Sequence, residues 1–160
     1  FSKADENGKS SVRLNGEVVE KQIRSLTISN LVSQISKNTI VRSKMVSLQQ
    51  AYGKSENVVM DGRDIGSVVF PNAQIKFWIT ASAEKRANRR YLEFRLKGED
   101  ISIEQVKENI ILRDSQDQNR KVSPLIKPKN AIEIDNTDLN IDQTFEIALD
   151  YINKYKSSHL

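Results

Sequence analysis

Val58-Val59-Met60-Asp61-Gly62-Arg63-Asp64 is the stretch on which the reading of this 160-residue chain turns. Three apolar residues run together and then stop in two carboxylates and a guanidinium. A continuous apolar run of this kind predicts a strand buried on both faces, as in a parallel sheet covered by helices. In α/β sheets the space outside the carboxyl ends of the strands is where ligands bind. A plain tight turn capped by Asp61 accounts for the Asp-Gly pair, but it gives Arg63, held between two carboxylates, nothing to do.

Outward from this stretch the pattern repeats. Ile75, Phe77 and Ile79 alternate with Lys76 and Trp78 and predict a second strand; Ile132 and Ile134, followed by Asp135, predict a third. Helices separate them. Ser82 is placed to cap a helix that ends before Gly98, Ser102 and Gln105 have capping-box spacing, and Phe145, Ala148, Ile152 and Tyr155 mark a last amphipathic helix. Upstream, Ile28, Leu31 and Ile35 share one helical face, and Val41, Met45, Leu48 and Tyr52 form a stripe that Gly53 could cap. The opening carries two hairpin signals, Asn7-Gly8 and Asn15-Gly16, the second between Val12-Arg13-Leu14 and Val18-Val19. Strands alternating with helices predict an α/β fold with a mainly parallel sheet and a small antiparallel piece at the start.

Composition narrows the chemistry. The chain has 25 Lys+Arg against 21 Asp+Glu, a net charge of +4, no Cys and a single His. Disulfides, thiolate catalysis, a His-based triad and a Cys- or His-ligated metal site therefore lack raw material. No run approaches the roughly 18 to 20 apolar residues of a membrane span. Catalysis or binding must rest on Arg, Lys, Asp, Glu and Ser, and the expected metal-ligand set is none.

Charge interrupts the apolar pattern in two further places. On the helix after Ser102, Ile103, Val106 and Ile110 define the inward face, which continues into Arg113, Asp117 and Arg120. At 100° per residue, Val106 and these three fall within about 80° of one another. An exposed Arg113–Asp117 pair would contribute only about 0.2–0.5 kcal/mol and would not explain why charge follows an apolar stripe. A partly enclosed polar site, with guanidiniums for an anion and a carboxylate for hydroxyl donors, explains it. On the preceding helix Ala83, Ala87, Tyr91 and Phe94 mark the buried side, and Arg86, Arg89 and Arg90 share an adjoining arc of about 100°. Guanidinium in this density suits phosphate, although a solvated face or a nucleic-acid patch would look alike. Gly8-Lys9-Ser10 mimics the end of a G-x-x-x-x-G-K-[ST] phosphate-binding loop, but position 3 is Lys3 and no buried strand precedes it, so a hairpin turn is the better reading.

The run Val58-Val59-Met60-Asp61-Gly62-Arg63-Asp64-Ile65-Gly66-Ser67-Val68-Val69-Phe70-Pro71 closely resembles the bacterial cytidylate kinases, which are nucleoside monophosphate kinases. The resemblance continues through Ala81-Ser82-Ala83-Glu84-Lys85-Arg86-Ala87-Asn88-Arg89-Arg90-Tyr91, Arg113-Asp114, Asp117 to Arg120, Ser123-Pro124-Leu125 and Ile134-Asp135-Asn136-Thr137. Ser67 stands where the family often has Thr, and Asn72 where it often has Asp.

This resemblance implies a P-loop NTPase-type parallel sheet with flanking helices, here without its first strand and phosphate-binding loop, plus the small antiparallel β insert. Residues 1–26 would be the remainder of a monophosphate-binding insert and 27–160 the core, with a lid around 82–120. It implies transfer of the ATP γ-phosphate to CMP or dCMP, ATP and Mg²⁺ as co-substrate and cofactor, a cytoplasmic monomer, and no nucleic-acid or membrane partner. By position, Ser33, Arg42 and Asp64 resemble residues that read cytosine. Arg63 and Arg120 resemble arginines on the substrate phosphate, Arg113 and Asp117 resemble sugar contacts, with Arg113 also near the migrating group, and Arg86, Arg89 and Arg90 belong to the lid. Phosphoryl transfer needs alignment and positive charge rather than a protein nucleophile, so the lack of Cys and His is no obstacle. With no phosphate-binding loop or its Lys in these 160 residues, the expectation is that the chain by itself is a poor or inactive kinase. A non-catalytic nucleotide- or partner-binding module is the alternative, and a basic nucleic-acid binder ranks behind both.

Overall fold

The computed structural model describes residues 11–23, 26–36, 38–55 and 57–159, without the side chains of 26, 29–30, 33–34, 55 and 159. The chain divides into two compact units, Phe1–Lys44 and Met45–Leu160. Asn7-Gly8 and Gly8-Lys9-Ser10 lie outside the described residues.

In the first unit β1 (Arg13–Leu14) and β2 (Glu17–Val18) form the antiparallel hairpin expected around Asn15-Gly16, with Arg13 opposite Val18 and Leu14 opposite Glu17. Asn15 (φ 52°) and Gly16 (φ 90°) both take the positive φ that a two-residue I′ turn demands. The Arg13 guanidinium donates to the Gly16 carbonyl at 2.7 Å, and Val12 N–H donates to the Glu20 carboxylate at 3.1 Å, fixing the hairpin to α1 (Glu20–Ile23). Next come α2 (Leu26–Ile35) and α3 (Thr39–Ser55), within which the division between the units falls. Asn38 caps α3 by accepting from the N–H groups of Ile40 and Val41 at 3.0 and 3.2 Å.

The second unit is built on β3 (Phe77–Thr80) and β4 (Ile132–Asp135), paired in parallel with Phe77 opposite Ile132 and Thr80 opposite Asp135. Between them run α4 (Ala83–Leu96) and α5 (Ile103–Asn119), packed on each other, and α6 (Ile141–His159) closes the chain. The capping signals act as expected. The Ser82 hydroxyl accepts from Lys85 N–H at 3.2 Å, and Ser102 and Gln105 satisfy each other's backbone N–H at 3.2 and 3.0 Å. Val69, Ala81, Ala87, Phe94, Val106 and Ile134 form the buried core, and the Tyr151 ring of α6 meets Phe77 edge-on at 6.3 Å.

Three sequence-based expectations fail. Val58-Val59-Met60 belongs to no strand among the described residues, and Val59 is fully exposed. Hydrophobicity says that a run favours burial; it does not supply the neighbouring backbone that would complete a ladder. The second failure is Gly53, which does not cap α3, since the helix runs on to Ser55. Its place is set by close approach instead: a Cβ there would lie 2.6 Å from Phe70 Cε1. Finally, the stripe Val41, Met45, Leu48 and Tyr52 is exposed, as is Phe145 on α6, whose contact with the sheet runs through Tyr151. No helix among the described residues is long and apolar enough to cross a membrane.

Candidate functional site

The Asp61–Asp64 turn passes directly into a single π-helical turn, Ile65–Val69, in which Asp64 C=O accepts from Val68 and Val69 N–H at 2.8 and 3.2 Å and Ile65 C=O accepts from Phe70 N–H at 2.7 Å. Such wide turns are uncommon and frequently lie at functional sites. This one buries Asp64 to 4% exposure and leaves the preceding Arg63 side chain 43% exposed. Arg63 Nε reaches across to Asp117 Oδ2 at 3.0 Å.

Asp117 is the centre of the arrangement. On α5 it follows Val106 on the buried face, as the helical spacing predicted. Arg113 Nε lies 4.0 Å from Oδ2, one turn earlier, and Arg120 Nη1 lies 3.5 Å from Oδ1. Arg120 arrives by a different route from the one its spacing suggested. Helix α5 stops at Asn119, and Arg120 is an extended C-cap (φ −68°, ψ 141°) whose Nε–H donates to the Ser123 carbonyl. Leu125 N–H then returns to the Asp117 carbonyl at 2.8 Å. Asp117 and Arg120 side chains are nearly buried, at 13% and 8% exposure, while Arg113 stays 47% exposed. Three guanidiniums thus share one carboxylate, so the group carries a net positive charge, and its two outer arginines face solvent. Chemically, such a group can receive an oxyanion, carboxylate or phosphate, through paired N–H donors.

The remaining predicted residues are distributed as follows. Arg86 Nη1 pairs with Asp114 Oδ2 at 2.7 Å and its Nε–H donates to Ala81 C=O at 2.9 Å, joining α4 to α5. Arg89 donates to the Asn136 side-chain and backbone oxygens at 3.0 and 2.6 Å and to Leu139 C=O at 3.1 Å. Arg90 pairs with Glu93 at 2.6 Å and lies over the Phe94 ring. The crowding of these three arginines is therefore relieved by protein acceptors on every side. Arg42, half-buried on α3, and Ser33 on α2 belong to the first unit; the Ser33 side chain lies outside the described residues.

Asp114, Ser123 and Asn136 are the partners that spacing did not reveal, because each acts across a distance in the chain or through a carbonyl. Asn136 sits at the carboxyl ends of the parallel strands, where Ser82 N–H donates to Thr137 Oγ1 at 3.0 Å and the Thr137 hydroxyl and N–H donate to Asp135 Oδ1 at 2.6 and 2.9 Å. These bonds, the hydroxyl's foremost, hold the Asp135 carboxyl below its ordinary value of 3.8. Among the described residues no group of three or more His, Cys, Asp or Glu side chains is placed to hold a metal ion.

Fold and site together define a parallel-strand α/β protein with a guanidinium-rich cluster gathered on one carboxylate. Comparison with known sequences is more specific. The family described as cytidylate kinase matches residues 2–154. A cytidylate kinase of Flavobacterium johnsoniae is 49% identical over 91% of this chain and 64% of its own length, and one of Flavobacterium psychrophilum is 47% identical over 91% and 65%. A cytidylate kinase of Shewanella oneidensis is 42% identical over 99% of this chain and 69% of its own length. The chain belongs to the cytidylate kinase family, and it spans just under two thirds of the length of the two Flavobacterium relatives.

Proposed function

We propose that the gene product carrying this chain is a nucleoside monophosphate kinase that transfers the γ-phosphate of ATP to CMP or dCMP in the cytoplasm, as a monomer. Its fold is read as the P-loop NTPase type, with residues 1–26 as part of a monophosphate-binding insert and a lid around 82–120. The observation that carries this reading is the convergence of Arg63, Arg113 and Arg120 on Asp117.

In this assignment Arg63 and Arg120 grip the CMP phosphate through forked N–H pairs and orient one of its oxygens toward the γ-phosphorus of ATP. Arg113 offsets charge on the migrating group, whose bond to the new oxygen forms as the bond to ADP breaks. Asp117 accepts from the sugar hydroxyls. Asp64 accepts from the amino donor of the cytosine edge, which calls for a carboxylate. Arg86, Arg89 and Arg90 belong to the lid, which excludes water as a competing acceptor. When bound, Mg²⁺ would supply further positive charge for the nucleotide phosphates.

The test is ATP-dependent diphosphate formation by the intact gene product with CMP, dCMP, UMP and AMP offered in parallel. Turnover of CMP or dCMP well above UMP and AMP is expected; no transfer to either cytidine nucleotide would refute the proposal.

A further inference from the structure

The segment after α5 carries a backbone anomaly beside the arginine cluster. Among the described residues three non-glycine positions have positive φ: Asn15, Asn130 and Ser123. Asparagine visits this left-handed region readily; serine does so at a cost. Ser123 also precedes Pro124, whose ring pushes the residue before it toward extended backbone. Yet Ser123 is held at φ 51° and is buried. Strained conformations persist where surrounding structure over-determines them, and they gather at functional sites.

The surroundings identify what the conformation accomplishes. The Ser123 carbonyl is aimed back along the chain at Arg120 Nε–H, and two residues later Leu125 N–H closes on the Asp117 carbonyl at 2.8 Å. Arg120 is thus fixed from two sides, by the Ser123 carbonyl at Nε and by the Asp117 carboxylate at Nη1. Turning Ser123 to negative φ would rotate that carbonyl away and leave the guanidinium plane without its second reference. Resting on the reading of Arg120 as a ligand of the substrate phosphate, we propose that Ser123 is a positioning residue: its left-handed backbone sets the plane of the Arg120 guanidinium for the incoming monophosphate. The requirement is for a backbone angle, so it is met by any residue that accepts positive φ.

The experiment is a substitution series at Ser123 in the intact gene product, with KM for CMP, KM for ATP and the Arg120 Nε–H NMR resonance as readouts. Ser123→Val, β-branched and averse to positive φ, is expected to raise KM for CMP roughly tenfold or more with KM for ATP little changed. Ser123→Gly and Ser123→Asn, which accept the angle, are expected to hold KM for CMP within about twofold of the parent. Equal KM values for CMP in the Val and Gly variants, or a rise shared equally by both substrates, would overturn the proposal. Should the Val variant fail to fold, the Ala and Gly variants make the same comparison with a smaller expected difference. The NMR arm separates this proposal from the functional reading. A slowly exchanging Arg120 Nε–H in the parent and the Gly variant, lost in Val or Ala, supports the positioning role even if CMP is no substrate; its presence in all variants, or in none, contradicts it.

Discussion

At Asp117 one carboxylate serves three guanidiniums, so neutralising it isolates what the cluster needs from within. Asp117→Asn keeps the shape and removes the charge. Because Arg63 and Arg113 are nearly half exposed, their share is screened by solvent, and the expected loss of about 1–3 kcal/mol comes mainly from the nearly buried Arg120. Thermal unfolding of the variant measures it, and an unchanged Tm would mean that the carboxylate is not the hub described. A second residue-scale prediction concerns pH. The Asp135 carboxyl is lowered by the Thr137 hydroxyl and N–H, so whatever stability it contributes is present above pH 3.8, its ordinary value, and is lost as pH falls through the lower native value. NMR titration should place its midpoint below 3.8, and Thr137→Val should move that midpoint upward; a midpoint indifferent to the substitution would contradict the assigned cause.

Among the elements, what the sequence revealed was whatever a few neighbouring residues decide. The Asn15-Gly16 turn, the Ser82 cap and the Ser102–Gln105 box all formed because donor, acceptor and backbone angle sit within four residues of each other. Arg113 and Asp117 were likewise legible from helical spacing. Val58–Met60 was not, since an apolar run records an appetite for burial and says nothing of what is there to bury it. Arg120 was located for an incomplete reason: the spacing presumed one more turn of helix, where an extended C-cap and the Ser123 carbonyl hold it instead. Gly53 shows the same limit, as its smallness answers to Phe70, seventeen positions away, and not to the helix end. Gly53→Ala is accordingly expected to destabilise by about 1–3 kcal/mol through overpacking, measured by denaturant unfolding. A neutral or stabilising alanine, as helix propensity alone would give, would show that the Phe70 contact yields freely.

For the molecule as a whole, the apolar surface left in view sets a testable contrast. Val59 is fully exposed and Val69 is buried in the core. In the 160-residue chain Val59→Lys should change stability by no more than about 0.5 kcal/mol, whereas Val69→Ala should cost roughly 2 kcal/mol or more. A large loss at Val59 would contradict its exposure. The arrangement of charge makes the larger claim. Asp117 draws Arg63 from a turn and Arg120 from a helix end into one seat, and in the functional reading that seat is completed by the phosphate of a cytidine nucleotide. Calorimetric titration of CMP into the intact gene product and into its Arg120→Lys variant addresses this most directly. Saturable heat in the parent, and affinity weakened roughly tenfold in the variant although its charge is kept, are expected because the guanidinium fork is lost; equal affinity in the two proteins, or no heat with CMP at all, would contradict the account.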